Sequence, residues 1–213
     1  MTAEMTSWTL LVALGAFHGI NPGMGWLFAV ALGMQERRRG AVISALVPLG
    51  VGHALAVAGA VGAALAMGAV LPVAAIRWTV AGVLVGLGLL RIWSHRHPRW
   101  ASMRVSAARL TLWSFLMATA HGAGLMVVPV FLGMTGHAAG GASCHVGGQA
   151  ASGAGPAILA TALHALGYLA VTAAVAVLVF EKLGVGLLRS RWVNLDLVWA
   201  AALVLTGLVT VLL

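Results

Sequence analysis

The stretch GAFHGINPGMGW, residues 15–26, places a histidine, an asparagine and a proline between two strongly apolar segments, LLVALGAF and LFAVALGM. These flanks are apolar enough to lie in lipid, where polar side chains and open backbone groups are costly. Pro22 removes a backbone donor and clashes with the preceding turn, so we expect the helix to break at Pro22 and Gly23. The break is either a packing kink or part of a polar site inside a membrane-spanning helix.

The composition of the whole chain indicates a membrane protein. The chain has 213 residues, of which 62% are hydrophobic and 8% are charged, whereas a soluble domain carries about 25% charged residues. The net charge of +8 comes from short segments between apolar stretches, as in membrane proteins, so we expect a lipid bilayer as the main partner and no nucleic acid. Because Cys144 is the single cysteine, an internal disulfide or CxxC pair is excluded.

The apolar segments predict an all-α, polytopic membrane protein with six transmembrane helices, since each is about 20 residues or longer. Eleven of the 12 basic residues fall in the segments 34–41, 91–109 and 181–192, and the twelfth is Arg77. By the positive-inside rule these three segments face the cytoplasm, so both termini lie outside a bacterial-type inner membrane. The predicted helices cover residues 8–34, 41–67, 71–93, 109–134, 156–180 and 193–213.

The second half of the chain echoes the first in chain order. HGINPGMGWLFAVALGM (18–34) is similar to HGAGLMVVPVFLGM (121–134), HAL at 53–55 recurs at 164–166, and RW at 77–78 recurs at 191–192. A unit of three helices has an odd number of crossings, so its second copy must be inverted. We therefore expect repeat 1 at 1–93, a basic cytoplasmic linker at 94–108 and repeat 2 at 109–213, with a substrate site near mid-membrane between them. By analogy with Pro22, Pro48 and Pro129 are expected to bend helices 2 and 4.

Four histidines fall in the middle third of the predicted bilayer and pair across the repeat. Ionisable groups at that depth face a cavity or one another, and neutral imidazole binds Zn, Ni, Co or Cu well. A helix-to-helix hydrogen bond is the alternative for any one of them, and a site without carboxylates also suits a neutral or anionic solute. The candidate metal ligands are therefore the four histidines, His18, His53, His121 and His164. Together with Asn21, the same histidines are the candidate substrate-binding residues.

The segment TGHAAGGASCHVGGQAASGAG, residues 135–155, is uncharged and rich in Gly, Ala and Ser. We expect it to be a flexible outer loop. Its His137, Cys144 and His145 could form a loose capture site for a soft metal, or they could be scattered polar residues without a role.

The motif HGINP in a chain of six helices in two halves resembles the LysE-type transporter superfamily, nearest to the NicO nickel/cobalt exporters and the urease-accessory-type nickel transporters. The resemblance implies two inverted three-helix repeats and secondary transport, with export as the direction. His18 matches the histidine of the family's first-helix motif, whereas the uncharged Asn21 stands near the place of its acidic residue. The superfamily's thiol-relay branch needs paired intramembrane cysteines, which this sequence lacks.

Three functions follow as hypotheses. The first is a secondary transporter of a transition-metal ion or small metal complex, which works by alternating access and in which histidines with a pKa of about 6.5 couple cargo release to protons. The second is an exporter of a small organic or oxyanion solute on the same fold, and the third is an electron carrier with haem between two histidines. No enzyme is expected, because the apolar segments hold no Ser–His–Asp set and no His–carboxylate pair. The glycine-rich GVLVGLGLL (82–90) permits close packing within the chain or in a homodimer.

Overall fold

The computed structural model describes residues 2–68, 71–93, 106–139, 149–183 and 195–212, and within these ranges the chain is helical with no strand. The prediction of an all-α fold is therefore confirmed. A 3₁₀ turn covers Pro22–Met24, and a π-helical turn covers Val179–Leu183. The α-helices are α1 (Thr2–Ile20), α2 (Trp26–Glu36), α3 (Arg39–Gly68), α4 (Val73–Trp93), α5 (Ala107–Ala120), α6 (Ala123–Ala139), α7 (Gln149–Leu178) and α8 (Leu195–Leu212).

Two helical segments among the described residues are long and apolar enough to cross a membrane, Arg39–Gly68 and Ala154–Lys182. The pair α5 and α6, bent by 60°, adds a third crossing if it forms one span. Large apolar side chains such as Val47, Ile158 and Leu166 are exposed on the outer helix faces, where lipid would cover them. Membrane association is supported at this level, whereas six spans and the orientation of the termini stay predictions. The shorter apolar helices are Met5–Ile20, Ala74–Leu90 and Ala200–Thr210.

Both halves contain a helix that is interrupted beside a histidine. The predicted helix 8–34 is in fact two helices, because α1 ends at Ile20 and α2 begins only at Trp26, so the break expected at Pro22 is confirmed. In the second half the break lies at His121 and Gly122, and Gly122 has a φ of +69°.

Pro48 and Pro129 do not interrupt their helices. Pro129 lies inside α6, seven residues after Gly122, and Pro48 lies inside α3. The bends that we expect at these two prolines stay predictions. The 60° bend between α5 and α6 occurs where α5 is followed by a left-handed glycine, and Gly122 N–H donates to Thr119 O at 3.0 Å to close the last helical turn.

The helices pack in pairs across the two halves: α1 against α7, α3 against α5, and α4 against α8, while α3 and α7 also meet each other. Glycines let these backbones approach closely. A Cβ on Gly88 of α4 would lie 2.9 Å from Ala200 O of α8, and a Cβ on Gly207 of α8 would lie 3.0 Å from Ala81 O of α4. The result is a tight bundle in which α1, α3 and α7 share a buried interface.

Candidate functional site

Three of the four predicted histidines meet in the interior, one each from α1, α3 and α7. The ring centroids of His18 and His53 are 5.7 Å apart, those of His18 and His164 are 5.1 Å apart, and those of His53 and His164 are 5.3 Å apart. All three side chains have an exposed fraction of 0%. We call these three residues the histidine cluster.

The fourth histidine, His121, caps the C-terminus of α5 at the second break and is 2% exposed. Its Nδ1 is hydrogen-bonded to Met117 O at 2.8 Å, four residues earlier in the chain. His18 stands before the first break in the same way, with its Nδ1 hydrogen-bonded to Leu14 O at 2.7 Å. The two residues that the sequence pairs across the repeat therefore share the same side-chain hydrogen bond, although His18 lies inside α1 and His121 lies just after α5.

The hydrogen bonds of the ring nitrogens determine the tautomer of three histidines. A carbonyl oxygen only accepts, so the Nδ1 atoms of His18 and His121 must carry the proton, and so must that of His164, which donates to Leu11 O on α1 at 3.2 Å. In the neutral ring the lone pair then lies on Nε2. An Nδ1–H held by a backbone carbonyl is also the usual arrangement of histidines that bind a metal through Nε2.

His53 differs from the other histidines of the cluster. Neither of its ring nitrogens has a hydrogen-bond partner among the described residues, although both are buried. Its ring instead lies flat against that of Tyr168, with centroids 3.9 Å apart and planes 8° apart. Among the described residues, this ring is therefore held in place by stacking and by packing, and not by a hydrogen bond.

Tyr168 was not among the predicted site residues. It is the single tyrosine of the chain, it is 0% exposed, and its hydroxyl donates to Met24 O at 2.6 Å, at the end of the 3₁₀ turn. Its position four residues after His164 places both side chains on one face of α7, and this spacing was the available signal in the sequence.

Asn21, one of the predicted substrate-binding residues, caps the 3₁₀ turn. Its Oδ1 accepts a hydrogen bond from Gly23 N at 2.9 Å, and the residue is 7% exposed. In this state the side-chain carbonyl is therefore engaged with the backbone of the break itself.

The backbone carbonyls around the break also have partners. His18 O, which Pro22 leaves without its helical donor, accepts from Asn21 N at 3.3 Å. The indole Nε1 of Trp26 donates to Ile20 O at 3.0 Å across the gap between α1 and α2. The break is thus a capped element of the fold, in which the carbonyls of His18 and Ile20 are both engaged.

The remaining predicted site and domain residues lie outside the described part of the chain. This applies to Cys144 and His145, to the side chain of His137, to residues 94–105 of the expected linker and to the RW pair at 191–192.

Carboxylates stand apart from the histidine cluster wherever the structure describes them. Glu36 is 2.7 Å from Arg38 Nε, and Glu181 is 3.1 Å from Arg39, both at helix ends. Among the described residues, no group of three or more His, Cys, Asp or Glu has its donor atoms placed to hold a metal ion. The rings of the cluster are close together, but their nitrogens do not converge in this state.

No family model, curated protein or solved structure matches the chain. The resemblance to the LysE-type superfamily therefore stays a prediction, and function is inferred from the histidine cluster.

Proposed function

We propose that the protein is a secondary transporter that exports a transition-metal ion or small metal complex through the histidine cluster. One observation carries the proposal: buried imidazoles whose Nδ1–H groups are held by backbone carbonyls, as in His18 and His164. The Nε2 lone pair of His164 is then available to a cation inside an apolar bundle.

The ligand chemistry favours a borderline metal such as Zn, Ni, Co or Cu. Mg and Ca prefer carboxylate and other oxygen ligands, and the two described carboxylates, Glu36 and Glu181, are paired with arginines at helix ends. Imidazole nitrogen suits Zn, Cu and Ni. The cargo would bind transiently, because a closed site with four strong ligands would retain it.

The spacing of the rings is compatible with a shared cation. At a metal–nitrogen distance of about 2.0–2.1 Å, imidazoles around one tetrahedral ion have ring centroids roughly 5 Å apart. The observed separations are 5.1, 5.3 and 5.7 Å. Binding would therefore require the rings to turn, while the helices keep their positions, and His53 is the ring that no hydrogen bond restrains.

The fold that we propose for this function has six spans in two inverted repeats, with both termini outside a bacterial-type inner membrane. The matched breaks beside His18 and His121 support it, as does the reciprocal packing of α1 on α7 and of α5 on α3. His18 and His53 come from the first half and His164 from the second, so rocking of the halves would open the cluster to alternate sides. A homodimer through residues 82–90 stays a prediction, although Gly88 of that stretch packs within the chain.

A small neutral or oxyanion solute is the second candidate cargo. The observation that favours it is that the described residues hold no group with donors placed for a metal ion. A solute of this kind would accept a hydrogen bond from the ring N–H of His53, whose nitrogens have no partner among the described residues, and would not require an acid at the site.

Metal flux into or out of proteoliposomes tests the proposal, with Zn, Ni, Co and Cu supplied separately. We expect His164→Ala to lower the transport rate at least roughly tenfold. Loss of a residue that only orients a metal ligand already costs about 10-fold or more, and this substitution removes a proposed ligand itself. His97→Ala, which changes a histidine of the segment 94–100, is the matched control and should transport like wild type.

Three results would count against metal export. Unchanged flux in His164→Ala, or no bound metal and no thermal shift with any of the four ions, would favour the solute transporter. An intense Soret absorption of the purified protein would instead favour the haem hypothesis.

A further inference from the structure

We infer that Tyr168 is a positioning residue that couples the histidine cluster to the break between α1 and α2. The inference rests on the proposed function in one respect: it takes the binding of cargo to be the event that turns the ring of His53. The contact on which it depends exists without cargo and can be tested without it.

A single side chain touches both elements. The phenol ring of Tyr168 covers one face of His53 at 3.9 Å, and its hydroxyl donates to Met24 O at 2.6 Å. Met24 is the last residue of the 3₁₀ turn and is 1% exposed. Tyr168 therefore links α3 to the segment that leads into α2, although it belongs to α7.

His53 is the part of this chain of contacts that can move most readily. The other two rings of the cluster are held by hydrogen bonds to Leu14 O and Leu11 O. His53 has no hydrogen bond to lose, since both of its nitrogens lack a partner among the described residues. Stacking against a phenol ring is directional but weak, so a bound cation can compete with it.

Rotation of His53 toward cargo removes the ring against which Tyr168 is packed. The phenol can then shift, and its hydrogen bond to Met24 O is weakened. Occupancy of the cluster and the position of the break thus become linked, and by reciprocity movement of the break alters the affinity of the cluster. The linkage operates only if cargo binds the two arrangements with different free energies.

Hydrogen–deuterium exchange of the full-length protein in lipid nanodiscs tests the hydroxyl contact without metal. Tyr168→Phe keeps the ring and removes the donor to Met24 O. We expect backbone amides of the break, residues 24–29, to exchange roughly tenfold faster, because a buried carbonyl loses its partner and local opening becomes easier.

Thr210→Val is the matched control. It removes another buried hydroxyl, 2% exposed, which donates to Thr206 O at the same distance of 2.6 Å but lies within α8. Exchange in the break should stay at the wild-type rate in this variant. No acceleration in Tyr168→Phe, or equal acceleration in both variants, would overturn the inference.

A double-mutant cycle tests the connection to the cluster. We expect His53→Ala to accelerate exchange in the break, and we expect the double variant His53→Ala/Tyr168→Phe to exchange no faster than Tyr168→Phe alone. Multiplicative effects of the two substitutions would mean that Tyr168 does not transmit the change, and the inference would fail.

Addition of Zn²⁺ separates this inference from the proposed function. If coupling holds, Zn²⁺ changes exchange in the break of the wild type, and Tyr168→Phe loses that response although it still binds Zn²⁺. A response that persists in Tyr168→Phe refutes the coupling. Absence of binding by the wild type to any of the four ions refutes metal transport, and the metal-free cycle then still decides the role of Tyr168.

Discussion

The contact between α1 and α7 predicts the effect of one added methyl group, in the variant Gly19→Ala. A Cβ on Gly19 would lie 2.6 Å from Tyr168 O, 2.9 Å from Val171 Cβ and 3.0 Å from Thr172 N. Two of these three atoms belong to the backbone of α7, so no side-chain rotation relieves the clash. The helices would have to separate by roughly 0.8 Å to bring the first distance from 2.6 Å to the 3.4 Å of ordinary contact.

Such a shift also reaches the histidine cluster. The hydrogen bond from His164 Nδ1 to Leu11 O crosses the same interface at 3.2 Å, and 0.8 Å more would lengthen it to about 4.0 Å, beyond hydrogen-bond distance. Overpacking costs about 1–3 kcal/mol and the lost bond about 1 kcal/mol, while alanine in a helix returns about 0.5–1 kcal/mol. The net destabilisation of about 2 kcal/mol corresponds to a Tm lower by roughly 4–8 °C.

Thermal unfolding in detergent, followed by tryptophan fluorescence, measures this change, and transport by the same variant should fall because His164 loses its support. Gly133→Ala on α6 is the matched control, since no described atom outside its own helix backbone lies within 4 Å of its added Cβ. It should leave the Tm unchanged or raise it slightly. If Gly19→Ala behaved like Gly133→Ala, the close packing of α1 on α7 would be refuted.

Two further substitutions test the break and the helix ends. Gly25→Ala should lower the free energy of unfolding by about 2–4 kcal/mol, because Gly25 has a φ of +127° and an added Cβ would lie 2.6 Å from Leu49 Cδ2. An unchanged Tm would contradict the described turn. Glu181→Gln should change stability by less than about 1 kcal/mol, because its ion pair with Arg39 at 3.1 Å is between exposed side chains, and a larger fall in Tm would show that the pair is part of a stronger network.

The sequence was informative where the physics is local. Pro22 cannot donate a backbone hydrogen bond, so the pyrrolidine ring of this residue alone made the break after His18 predictable. The break in the second half was not predicted, because no proline marks it: a glycine at positive φ follows the helix end at Gly122, while α6 continues through Pro129. Counting residues along each predicted helix placed His18, His53 and His164 at a similar depth in the bilayer. The sequence pattern does not indicate which of their ring nitrogens face a carbonyl.

The apolar composition and the helical spacing were sufficient to predict an all-helical chain suited to lipid, since both depend on the residue types of one segment at a time. Only the packed bundle decided that three histidines meet, that the Nδ1 atoms of His18 and His164 are committed to carbonyls, and that Tyr168 joins His53 to the break. These contacts connect residues up to 153 positions apart, as in the bond of His164 to Leu11. Their geometry depends on how closely glycine lets two helices approach. This distance is a property of a pair of helices, and the sequence of either helix alone does not determine it.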